Sequence, residues 1–212
     1  MATVFGNAVE YSTGVDKDYP RKLLWGDTHL HSNQSADAYT IGNSNLTPSD
    51  AFRFARGEEV ISEKGVRAKL RVPLDFLMVS DHATFLGMFK RIENRDPEIL
   101  KTPLGKRWRK YMDENDPNLF TEFVDGLDGR LEDTFSKEDY IPIWKEITEN
   151  VDKFNQPGIF TALIGYEWTP APTGDNLHRV VVFKDDAKLA QKIKSAINNK
   201  LNVFYFFKTN IT

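Results

Sequence analysis

Asp27-Thr28-His29-Leu30-His31 is the stretch best equipped for chemistry. In an extended chain, side chains two residues apart point to the same side. Asp27, His29 and His31 would then line one face, with the two imidazoles close enough to share a metal ion. Asp37 follows on a segment that reads as loop. Imidazole and carboxylate at the carboxyl end of a strand suit Zn, Mn or Fe. The plain alternative is a pair of surface histidines near a strand end, because short motifs carry a real false-positive rate. The other histidines weigh against it. The chain has 4 in all, and His82 closes an apolar run at 75–82. His178 opens another run at 178–183, just after a third at 160–167 that ends in Glu167. Glutamate is rarely buried without a partner, so Glu167 at the end of an apolar strand is hard to read as a solvated charge. Asp37 has a competing role, since loop aspartates often only cap turns.

A scaffold must bring these residues together. Strands are expected at 23–26, 75–79, 160–165 and 178–183, with a fifth at 201–207. Helices are expected at 47–57, 85–92, 103–112, 141–154 and 186–198. Thr47 and Pro48 make a helix start, Thr47 as cap and Pro48 at the first helical position. Residues 1–21 read as an irregular lead-in, 58–71 as a short hairpin or loop, and 113–139 as acidic and weakly patterned. Strands separated by helical segments point to α/β with a largely parallel sheet. In such folds, sites collect at the carboxyl ends of strands. His178 departs from this, because it stands at the start of its strand. Residues 85–155 read as a helical insertion within one domain spanning 1–212, packed against the site or lying over it.

Composition narrows the function classes. A net charge of -3 gives no electrostatic case for nucleic acid, and no basic run stands out. The chain has 0 cysteines, which excludes disulfides and thiolate zinc sites. No apolar run approaches the roughly 20 residues of a membrane span, and residues 1–20 lack the pattern of a signal peptide. A cytoplasmic location is the simplest expectation, with the periplasm left open. No partner beyond a small-molecule substrate is expected, and the oligomeric state is open.

The motifs resemble those of the PHP (polymerase and histidinol phosphatase) family, metal-dependent phosphoesterases on a distorted β/α barrel. The residues that carry the likeness are Asp27-Thr28-His29-Leu30-His31, Asp37, Ser80-Asp81-His82, Glu167 and His178. The wider text is closer to a branch of that family catalogued as a domain of unknown function (DUF3604-like). That likeness rests on Asp50-Ala51-Phe52-Arg53-Phe54-Ala55-Arg56-Gly57-Glu58, Pro73-Leu74-Asp75-Phe76-Leu77, Gly165-Tyr166-Glu167-Trp168-Thr169 and Asn176-Leu177-His178-Arg179-Val180-Val181. The resemblance implies metal ligands at His29, His31, Asp37, His82, Glu167 and His178, with Glu167 bridging two ions. It implies that Asp27 and Asp81 orient imidazoles. The family pattern continues past this chain, so the barrel is expected to be incomplete, with residues 195–212 a tail outside the family pattern.

The expected activity is metal-dependent hydrolysis of a small phosphoester, by a hydroxide activated at two or three divalent ions. Its catalytic residues would be Glu167, Asp27, Asp81 and Arg179. Arg179, Arg56 and Lys69 are candidates to hold a phosphate, with a surface charge as the alternative for each. Two rivals remain. An amidohydrolase-like enzyme uses the same chemistry on C–N and C–O bonds but wants a bridging lysine. A catalytically inactive metal-binding fragment would hold ions and turn nothing over.

Overall fold

The computed structural model describes residues 22–127, 129–169 and 177–192. The lead-in at 1–21, the fifth strand at 201–207, the tail at 195–212 and residues 193–198 of the helix expected at 186–198 lie outside the described residues.

Four strands make the central sheet: β1 (Gly26–Leu30), β4 (Phe76–Val79), β5 (Thr161–Trp168) and β6 (Arg179–Phe183), in the order β1-β4-β5-β6. β1, β4 and β5 run parallel, whereas β6 is antiparallel to β5. A two-stranded hairpin of β2 (Val60–Ile61) and β3 (Arg67–Ala68) stands apart, where a hairpin or loop was expected. The α/β class is as expected. No closed barrel is found among the described residues: the sheet is open, with β1 at one edge and β6 at the other.

β1 begins later than its apolar content suggests. Leu23, Leu24 and Trp25 are solvent-exposed, and the strand is Gly26–Leu30, the motif itself. Backbone pairing decides the boundary, because Gly26 and Asp27 sit opposite Phe76 and Leu77 of β4. β4 and most of β5 are buried, as a parallel strand covered on both faces should be. Gly165 in β5 is required by close approach: a Cβ there would lie 2.1 Å from Met78 Sδ and 2.6 Å from the Val181 carbonyl.

The helices pack over this sheet. α1 is short (Ala36–Thr40). α2 (Pro48–Ala55) starts in a capping box, with Thr47 and Asp50 bonded reciprocally and Pro48 in the first turn. The segment expected to be a helical insertion is helical. It holds α3 (Met88–Glu93), α4 (Pro103–Glu114), α5 (Asn118–Leu127) and α6 (Lys137–Phe154). α3 starts later than expected because Phe85 and Gly87 both take positive φ, +59° and +68°, which no right-handed helix accommodates. Phe85 then packs at 4.9 Å (ring centroids) on Trp108, with Phe89 at 5.0 Å from the same indole. α6 returns to the sheet, with Trp144 against Tyr166 and Phe183. A short α7 (Ala187–Ala190) follows β6. One continuous cluster of buried apolar side chains runs from Phe52 through Trp108 to Phe183. Among the described residues, no helix is long and apolar enough to cross a membrane.

Candidate metal centre

The sheet delivers its chemistry to one rim. β1 carries His29, with His31 just beyond the strand end, and strand alternation turns both to one side. The Asp27 carboxylate accepts the His29 amide at 2.7 Å. Asp27 thus braces the backbone of the motif and does not reach an imidazole. His31 Nδ1 lies 2.9 Å from Asp37 Oδ2, with Asp37 in the first turn of α1. Ser35, fully buried at the helix start, donates its hydroxyl to Asp37 Oδ1 at 2.5 Å and accepts the His82 amide at 3.1 Å. One serine therefore ties the first motif to the second.

β4 ends in Ser80-Asp81-His82. Asp81 accepts the Ser32 amide at 2.5 Å and the Ser32 hydroxyl at 2.7 Å, clamping the turn after His31. Burial pushes its carboxyl up to about 6, against the pull of those two bonds. The pairing of β4 with β5 continues into the ligand residues: Glu167 donates its amide to the Asp81 carbonyl, and Ala83 donates to the Glu167 carbonyl. His82 and Glu167 are thereby fixed side by side. The antiparallel course of β6 accounts for His178. A strand running the opposite way starts where its neighbours end, so its leading residue reaches the same rim.

Glu167 is 1% exposed and stands at the centre. Its Oε1 lies 3.2 Å from His29 Nε2 and 2.6 Å from His178 Nδ1. Its Oε2 lies 2.8 Å from His31 Nε2 and 3.4 Å from His82 Nε2. His82 Nε2 is also 3.4 Å from Asp37 Oδ2. Despite these short approaches, both Glu167 oxygens and His31 Nε2 are buried and make no hydrogen bond of acceptable geometry. Buried polar atoms are rarely left so. Atoms that crowd together without bonding one another are placed as ligands of a shared ion would be. They fall into three overlapping groups: His29, His31 and Glu167; His31, Asp37 and His82; His82, Glu167 and His178. All are nitrogen or carboxylate donors, which fits Zn, Mn or Fe.

The electrostatics couple His31 and Asp37. Burial alone would lower the His31 pKa, but its bond to Asp37 and the charges of Asp37 and Glu167 raise it. Burial works to raise Asp37, yet hydrogen bonds from His31, His82 and Ser35 hold it far below the usual carboxylate range.

The six residues expected as ligands thus converge. The basic residues are elsewhere. Arg179 sits opposite Trp168 in the β5–β6 ladder, its guanidinium 5.3 Å from the indole. Alternation puts this pair on the face away from Glu167. Arg56 lies 6.0 Å from the Phe154 ring, and Lys69 is exposed just after β3. Two contributors went unnoticed in the sequence, Ser35 and Thr169. Thr169 was findable, because Gly165, Glu167 and Thr169 alternate along one face.

Residues 18–204 match the family described as protein of unknown function (DUF3604). The chain belongs to this family. No curated protein and no solved structure matches it. The DUF3604 match takes in every ligand of the cluster as well as Ser35 and Thr169.

Proposed function

We propose that this DUF3604 chain is a metal-dependent hydrolase acting on a small-molecule phosphoester, akin to the PHP phosphoesterases, with its sheet part of a PHP-like β/α barrel. The observation that carries the reading is the Glu167 carboxylate. Each of its oxygens faces a different pair of imidazoles, so one buried carboxylate would share divalent ions with all four histidines. Divalent ions held there supply Lewis acidity, which activates water near neutral pH and neutralises charge developing on a phosphoryl group. Asp37 would serve the ion position between His31 and His82. Asp27, Asp81 and Ser35 hold the ligand-bearing backbone in register. Substrate would enter from the open side, where the side chains of His29, His178 and Asp37 are 53%, 43% and 39% exposed. Those of His31 and His82, by contrast, are 18% and 10% exposed and form the floor.

The test is purification without chelator, metal analysis by mass spectrometry, and turnover of bis(nitrophenyl) phosphate with added Mn or Zn. Bound metal and turnover, both lost in His82→Ala, support the reading. A nitroanilide cleaved in place of the phosphodiester would move the chain to C–N hydrolysis. Bound metal without turnover of either would make it a metal-binding domain.

A further inference from the structure

Thr169 follows β5 and is 8% exposed. Its Oγ1 lies 3.0 Å from His82 Nδ1 and 3.0 Å from His178 Nδ1. The other nitrogen of His82, Nε2, faces the Asp37 and Glu167 carboxylates. A neutral imidazole carries one proton, on one nitrogen only. If His82 kept its proton on Nε2, that N–H would point at the carboxylates and no lone pair would remain for an ion. If the proton is on Nδ1, Nε2 is a ligand. The hydroxyl at Nδ1 is able to accept that Nδ1–H, which is the arrangement a metal ligand at Nε2 needs.

We propose that Thr169 is a positioning residue of the metal centre, accepting the Nδ1–H of His82 so that Nε2 is held as a lone-pair donor. The proposal rests on the metal-site reading above. The same hydroxyl lies 3.0 Å from His178 Nδ1, but that nitrogen also faces Glu167 Oε1 at 2.6 Å, so its lone pair is left to the ion. Thr169 is thus the partner that metal-bound imidazoles usually find in a carboxylate or a carbonyl. The two aspartates next to the histidine motifs do not fill that role, since they bond the His29 amide and Ser32.

The experiment uses the full chain and zinc as the probe. Zinc affinity is measured by calorimetric titration for the parent, Thr169→Val and Thr169→Ser. Valine keeps the shape and removes the hydroxyl, whereas serine restores it. Affinity should fall about 10–100-fold in the valine variant, the usual loss for removing such a partner, and return in the serine variant. Nitrogen NMR of labelled histidines in the zinc-loaded parent should show His82 protonated at Nδ1. A merely structural threonine would lower the metal-free melting temperature without changing affinity, and that result overturns the proposal. Equal loss in the valine and serine variants overturns it too, as does a His82 proton on Nε2. Should the valine variant fail to fold, the tautomer in the parent decides. A parent that binds no zinc removes the metal-site reading itself, and this proposal with it. A parent that binds zinc as tightly as its valine variant removes only the role of Thr169.

Discussion

Glu167→Gln separates a ligand set from a salt-bridge network. The carboxylate is buried, and neither oxygen makes a well-formed hydrogen bond. Without metal, a negative charge buried there has no well-bonded partner to compensate it. A buried unsatisfied polar group costs roughly 1–3 kcal/mol, and a charged one more. Glutamine is nearly the same shape, is neutral, and can donate its amide to the imidazole nitrogen of His31, 2.8 Å from Oε2 in the parent. The metal-free variant should therefore be more stable than the metal-free parent by about 1–3 kcal/mol. For a chain of this size that is a rise of roughly 2–12 °C in melting temperature. Excess Zn or Mn should reverse the order. An ion at about one hundred times its Kd adds roughly 2.7 kcal/mol to the parent. The variant has lost the charged bridge and should gain much less. Thermal melts of both proteins, with chelator and with metal, provide the four numbers needed. A metal-free variant that melts below the parent would refute the argument, because Glu167 would then be stabilised by protonated imidazoles.

Two further outcomes are expected. Asp81 is raised to about 6 by burial, above its unfolded value near 4, so the folded state binds that proton more tightly and gains stability as pH falls through this window. His31 is raised too, its partners Asp37 and Glu167 outweighing burial, so it contributes fully below about 6.5 and loses that contribution as pH rises through its folded value. Asp37 is depressed, its hydrogen bonds outweighing burial, so its contribution holds above about pH 4 and fades below. The metal-free protein should thus melt higher at about pH 5.5 than at about pH 8, and zinc should narrow or invert the gap by competing with the same protons. A flat metal-free profile would count against this electrostatic account. In α5, Gly126→Ala would place a Cβ 2.3 Å from Phe85 Cζ, an overpacking worth about 1–3 kcal/mol of destabilisation. Phe85→Leu should relieve it, and an unchanged melt for Gly126→Ala alone would show that α5 does not rest on that ring.

Much of the site could be read from the sequence because metal chemistry needs residue types that are scarce here. Four histidines at the ends of apolar runs leave few arrangements. β4 and β5 were legible as continuous apolar runs, since burial on both faces removes polar alternation. β1 was misplaced because Leu23, Leu24 and Trp25 look like a buried strand, whereas pairing with Phe76 and Leu77 shifts the strand onto the polar motif. α5 was hidden by its acidic surroundings, although Leu119, Phe123 and Leu127 recur at helical spacing. The direction of β6 leaves no mark in composition, so His178 looked misplaced until the antiparallel ladder was seen. Ser35 and Thr169 carry common hydroxyls, and only proximity to Asp37 and to His82 distinguishes them. The expectation of an incomplete barrel came from the resemblance, and the described residues form an open four-stranded sheet.

Among the described residues β1 is an edge strand, yet it delivers the first two histidines, while the carboxylate they face comes from β5, far along the chain. An ion gripping both would act as a cross-link. Closing a loop on the order of 100 residues removes about 4–5 kcal/mol of chain entropy, in the accounting used for disulfides. An edge strand would be fastened by the cargo it helps to hold. Capture of the ion and docking of β1 then become a single folding event, and withdrawing metal would loosen β1 before the helical block around Trp108.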